Sequence, residues 1–167
     1  MVAITFPEIP KDIQQELDTV LGQTCCRQYV GSDLSLFIGF GGIIFVKNIR
    51  GTSYPHGKWE IGTYRSAWRM IENQRIICGS KCLFDSVEEL RQKIVKLEGA
   101  KCTGIRMLTE FDVRIEFDQG YCVDILGVFG DEDELFHMFL PQRRVLALSI
   151  GGEWSAEDDN SPLHLRN

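Results

Sequence analysis

Apolar residues at Ile9, Ile13, Leu17 and Leu21 recur at helical spacing, Pro10 fits the opening turn, and Gly22 stops the pattern. A second helix is predicted from Ser86, where Ser86-Val87-Glu88-Glu89 has the form of a capping box. Val87, Leu90, Ile94 and Leu97 make its apolar stripe, and Gly99 ends it. The rest of the chain alternates with period two. Val113, Ile115 and Phe117 interleave with Arg114 and Glu116, then Asp118-Gln119-Gly120 turns the chain into Tyr121 to Leu126. Trp59 to Ile71 is predicted to turn at Asn73-Gln74 into Arg75 to Cys78, and Leu135 to Leu140 to turn at Pro141-Gln142-Arg143-Arg144 into Val145 to Ile150.

These elements suggest an internal repeat. After the first helix come Cys25-Cys26, Asp33 to Ile38 and a glycine turn at Gly41; after the second come Cys102, Asp112 to Phe117 and Gly120, an offset of 79 residues between Asp33 and Asp112. Trp68-Arg69-Met70 and Phe136-His137-Met138 correspond at an offset of 68, so the first half carries an additional loop, assigned to Ile49 to Lys58. The expected fold class is α+β: one domain over residues 1–154, made of two pseudo-repeats at about 8–80 and 86–154. Each repeat is a helix followed by about four antiparallel strands, with the helices covering the sheets. Residues 155–167 form an acidic tail expected to be flexible.

Gly57-Lys58-Trp59-Glu60-Ile61, Ser66-Ala67-Trp68-Arg69-Met70, Cys78-Gly79-Ser80, Asp112 to Gly120 and Gly152-Glu153-Trp154 resemble a family of small bacterial proteins of unknown function. Some of these are similar to the immunity proteins of toxin systems. The resemblance runs from about Leu21 to Trp154 and implies a duplicated α+β domain; it implies no reaction, because its recurring positions look like framework.

Composition narrows the function classes. The 167 residues are 44% hydrophobic and 25% charged, an ordinary globular balance. No apolar run reaches the length of a membrane helix, and residues 1–10 lack the layout of a signal peptide, so a cytoplasmic protein without a membrane partner is expected. A net charge of −6 argues against nucleic acid. The six cysteines are expected as reduced thiols that fill the core. Neither Cys25-Cys26 nor Cys78-x-x-x-Cys82 has zinc spacing, so no metal or other cofactor is expected; one of Cys25 and Cys26 could be redox-reactive.

No catalytic set emerges. A nucleophilic cysteine would need a histidine, and His56 is the only candidate base, because His164 lies in the tail and His137 is assigned to an exposed strand face. Gly39-Phe40-Gly41-Gly42 leads into a strand, which makes it a hairpin turn and not a phosphate cradle. Asp131 to Glu134 is a solvated acidic turn. The candidate binding patch is Trp59, Tyr64, Arg65, Trp68, Arg69 and Trp154, since Trp and Arg favour interface hot spots, although the tryptophans serve equally as core anchors. Arg65 and Arg69 are expected to share a face and to reach the acidic turn or a partner. The leading function is a non-catalytic protein-interaction protein, one form of which is an immunity-like protein that occludes another protein's active site. The alternatives are a small-ligand binder or enzyme using a cleft between the halves, and a self-associating homodimer.

Overall fold

The computed structural model describes residues 8–48, 50–63, 66–81, 85–127, 134–149 and 151–158. Helix α1 (Lys11–Leu17) starts on Pro10, whose carbonyl accepts from Gln14 N at 2.8 Å, and continues through a 3-10 turn, Asp18–Val20. Helix α2 (Val87–Ile94) starts on Ser86 with both arms of the capping box formed: Ser86 N donates to Glu89 Oε2 at 2.6 Å, and Glu89 N to Ser86 Oγ at 3.2 Å. A second 3-10 turn, Val95–Leu97, extends it. Gly22 and Gly99 then take φ of +78° and +81°, which only glycine adopts freely, and direct the chain into the strands.

Eleven strands follow in the described residues: β1 (Cys25–Val30), β2 (Leu36–Lys47), β3 (Ser53–Gly62), β4 (Ala67–Glu72), β5 (Arg75–Gly79), β6 (Cys102–Met107), β7 (Val113–Phe117), β8 (Tyr121–Leu126), β9 (Glu134–Leu140), β10 (Arg144–Ser149) and β11 (Trp154–Asp158). They form two antiparallel sheets, ordered β1-β2-β3-β9-β10-β11 and β5-β4-β8-β7-β6. The chain is a mixed helix-and-sheet fold dominated by strands. Five and six strands stand where about four per half were expected. The last of them, β11, runs through Ser155–Asp158, inside the segment assigned to a flexible tail.

The inner faces meet in one core. Phe40 of β2 stacks on Phe117 of β7 with ring centroids 5.9 Å apart, and Trp68, Met70, Phe136 and Met138 are buried beside them. Leu17, Leu90, Ile94 and Leu97 bring the helical stripes into the same core. Helix α2 packs against β1 and β5, the outermost strands of the two different sheets.

The segment read as one strand from Trp59 to Ile71 is two. β3 belongs to the six-stranded sheet and β4 crosses to the other, where it pairs with β8. Gly39 to Gly42 is not a hairpin turn. β2 continues through it, and the register slips by one residue between Phe40 and Ile43, with Gly41 and Gly42 at φ of +75° and +108°. This is a β-bulge, which bends a strand without ending it. The expected loop at Ile49 to Lys58 is therefore largely β3, paired with the far half of β2 as a long two-stranded arm.

Candidate functional site

The arm positions the most unusual chemistry in the chain. Met138 and Ile61 are buried in the core, so their strand neighbours His137, Phe139, Glu60 and Gly62 lie on the opposite, outer face of the six-stranded sheet. Polar groups on such a face normally meet water. Glu60, His137 and His56 are instead only 3%, 2% and 5% exposed.

Bending at the glycine bulge causes this. The ribbon folds back so closely that Gly57 sits on Gly39, and His56 comes edge-on to Phe139 with centroids 5.5 Å apart. Glu60 is the hub beneath it. Its carboxylate accepts from Arg27 Nη1 and from Gly57 N, each at 2.8 Å, and His56 Nε2 lies 3.7 Å from Oε1. His56 Nδ1 is 2.6 Å from the Gly57 carbonyl, which can only accept, so the Nδ1 position carries the proton. His137 was expected on an exposed face. It is buried because Gly62 opposite it has no side chain, and a Cβ there would lie 2.2 Å from His137 Nε2.

Beyond the base, the arm is apolar and open to solvent. Ile43, Ile44 and Phe45 are 52%, 39% and 72% exposed. The span from Gly41 to Lys58 carries Lys47, Arg50 and Lys58 and no carboxylate, a charge of +3 that leaves −9 on the remainder of the −6 chain.

The outer face of the five-stranded sheet is built differently. Asp124, fully buried, accepts from Arg69 Nε at 2.9 Å, Arg114 Nε at 2.6 Å and Arg114 Nη2 at 2.9 Å. Burial alone would push its carboxyl up, but the hydrogen bonds and charge of the two guanidiniums prevail and hold it below the ordinary carboxylate value. Beside this ladder runs an open groove of about 620 Å3 whose lining includes Ile71, Thr103, Arg114, Glu116, Tyr121 and Cys122.

The described residues of the predicted binding patch, Trp59, Trp68, Arg69 and Trp154, lie on three strands. Trp59, half-buried on β3, donates its indole N–H to Thr19 Oγ1 at 3.0 Å, and Trp68, 2% exposed on β4, donates to the Leu34 carbonyl at 2.7 Å. Trp154 on β11 packs edge-on against Phe136 at 5.8 Å. Arg69 points to the other face from Trp68 and pairs with Asp124. Tyr64, Arg65 and Asp131 to Asp133 lie outside the described residues.

Three of the thiols are placed against nucleophilic use. Burial pushes the Cys25 thiol up to about 11 and that of Cys102 to about 12, and raises Cys122 as well, so all three stay protonated at neutral pH. Sequence reasoning missed the roles of Arg27, Glu60 and the arm. The available signal was the apolar run Ile43-Ile44-Phe45-Val46 beside unbroken positive charge.

The site and fold thus define a two-sheet protein with a bent, basic, apolar hairpin. Comparison with protein-family models, curated proteins and solved structures finds no match. Among the described residues no helix is long and apolar enough to cross a membrane.

Proposed function

We propose that this chain is a non-catalytic protein-interaction module of the cytoplasm, built by internal duplication, with the β2–β3 arm as its recognition element. The observation that carries this reading is the run of three exposed apolar side chains, Ile43 to Phe45, on a hairpin whose base is locked by Glu60. Ile43 and Phe45 share one face of the hairpin and Ile44 takes the other, and exposed apolar surface on a supported element marks an interaction site. An immunity-type role, occluding another protein's active site, is one form of this function.

The duplication is supported by backbone geometry. Gly22 N donates to the Cys102 carbonyl at 2.8 Å and Gly99 N to the Cys25 carbonyl at 2.9 Å; Cys25 N donates to Ala100 at 2.7 Å and Cys102 N to Gln23 at 3.0 Å. Each pair of bonds interchanges when 77 is added to or taken from the residue numbers. The sheet orders β1-β2-β3-β9-β10 and β6-β7-β8-β4-β5 interchange in the same way, with the last two strands of each half swapped into the other half's sheet. In this alignment Phe40 matches Phe117, and the arm from Gly41 to Lys58 stands where the second half has only Asp118–Gly120.

The test is capture with wild-type and Phe45→Asp bait, followed by reconstitution with the purified partner. A protein retained by wild type and lost with the variant supports the reading; equal retention by both overturns it. A small-ligand function is the second reading, favoured by the groove on the five-stranded sheet, and a thermal shift with a metabolite library would reveal it.

A further inference from the structure

The two outer faces carry equivalent rows of residues with different covers. In the six-stranded sheet Glu60 pairs with Gly39 on one side and Phe139 on the other; in the five-stranded sheet Cys122 pairs with Glu116 on one side and Ile71 on the other. The first row is roofed by His56 and Gly57 of the chain's own arm. The second row lies in the groove of about 620 Å3. The connection above it is the three-residue turn Asp118–Gly120, too short to fold back over the sheet.

We propose that this groove receives the arm of a second copy of the chain, in a reciprocal exchange about a two-fold axis. The inference rests on the reading of the arm as a recognition element and names its occupant. Three observations select an arm over an ionic ligand. The groove's charged side chains are already compensated, because Arg114 is committed to Asp124 and Glu116 accepts from Arg106 Nε at 2.7 Å. Its wall therefore offers Ile71, Tyr121 and Cys122 to an apolar guest, and Ile43, Ile44 and Phe45 are the apolar side chains left over once the arm's base has covered its own sheet. The arm's charge of +3 against −9 elsewhere favours approach of arm to body over arm to arm, and the groove, with Arg114 balanced by Glu116, presents no net charge to oppose it. Reciprocal exchange buries both arms and closes the assembly at two copies, whereas one-way docking would propagate.

Light scattering and sedimentation of the full chain, with circular dichroism to verify folding, test the proposal. The wild type is expected to be dimeric at high micromolar concentration. Phe45→Asp on the arm and, separately, Cys122→Arg in the groove are each expected to raise the dimer dissociation constant by about thirtyfold or more, the loss typical of a central hot spot. In a chain with Cys26 and Cys82 replaced by Ser, Phe45→Cys is expected to form an intermolecular disulfide with Cys122 on mild oxidation, and Cys122→Ser to abolish it. A monomeric wild type overturns self-docking while leaving the arm's capture of a different protein to its own assay. A dimer weakened by the arm variant but not by a folded groove variant overturns it in favour of arm-to-arm contact, and a dimer indifferent to both places the interface elsewhere.

Discussion

Replacing Glu60 by Ala should loosen the arm and destabilise the fold by about 3–4 kcal/mol. The side chains of Glu60 and Arg27 are 4% and 17% exposed. Deleting one partner of a buried ion pair costs about 3–5 kcal/mol because the other charge is left in a poor environment. Arg27 retains a route to water, which reduces that figure, but the buried Gly57 N–H loses its Glu60 acceptor, worth about 1–3 kcal/mol. These costs overlap and do not add. Glu60→Gln keeps the shape and an acceptor oxygen while removing the charge, and should cost about 1–2 kcal/mol. Urea unfolding of the three proteins gives the stabilities, and native-state hydrogen exchange at Ile43 to Gly57 reports the arm. Exchange there should accelerate in the Ala variant more than in the Gln variant. A cost below about 1 kcal/mol, or equal costs with unchanged arm exchange, would refute the assignment of Glu60 as the hub.

Three further outcomes are expected. Gly57→Ala would place a Cβ 2.5 Å from Gly39 Cα and Trp59 O and 2.6 Å from Phe40 N, all backbone atoms that cannot step aside, so unfolding free energy should drop by about 3 kcal/mol or more. Gly42→Ala meets no neighbour and should cost only the strain of its positive φ, about 1–2 kcal/mol, so equal losses in thermal melts would contradict the close approach. Because the Asp124 carboxyl is held low in the folded state, its contribution is fully present above about pH 5, near and beyond the unfolded value of about 3.9, and is lost as pH falls through the folded value. The stability gap between wild type and Asp124→Asn should therefore close on acidification, and a gap constant from pH 7 to pH 3 would exclude it. The Cys25 and Cys102 thiols titrate upward from the unfolded value, so the unfolded chain loses these protons first and stability should fall as pH rises past about 8.5. Cys25→Ala/Cys102→Ala should flatten that alkaline limb in urea titrations.

Local signals carried much of the fold. Ser86 and Glu89 announce a capping box that forms, and Asn73-Gln74, both at positive φ, make the tight turn between β4 and β5. What failed was non-local. Nothing near Gly62 indicates that β3 and β4 part into different sheets, because partners such as Asp124 for Arg69 lie 55 residues away. The glycines at Gly41 and Gly42 supply positive φ equally well to a turn or to a bulge, and only the pairing of Ile43 with Gly57 decides between them. The candidate patch shows a related ambiguity: tryptophan marks large buried area whether the burial is against a partner or against the chain itself, and the indole N–H groups of Trp59 and Trp68 are satisfied internally.

The proposed repeat shows where sequence periodicity loses its power. An offset of 79 residues and the offset of 77 required by the reciprocal hydrogen bonds at Gly22, Cys25, Gly99 and Cys102 differ by two, and a strand pattern of period two looks the same after a shift of two. The helix ends break that degeneracy, because Gly22 and Gly99 are single positions that must both be left-handed. At an offset of 77 in β2 and β7, and of 62 in β3 and β8, the first half holds fifteen additional residues between these strands, all in the arm. An arm made of apolar and basic residues, bent by its own glycines and secured by Glu60, contributes little to the shared core. On the proposed reading, its exposed Ile43 to Phe45 segment serves contacts outside its own fold.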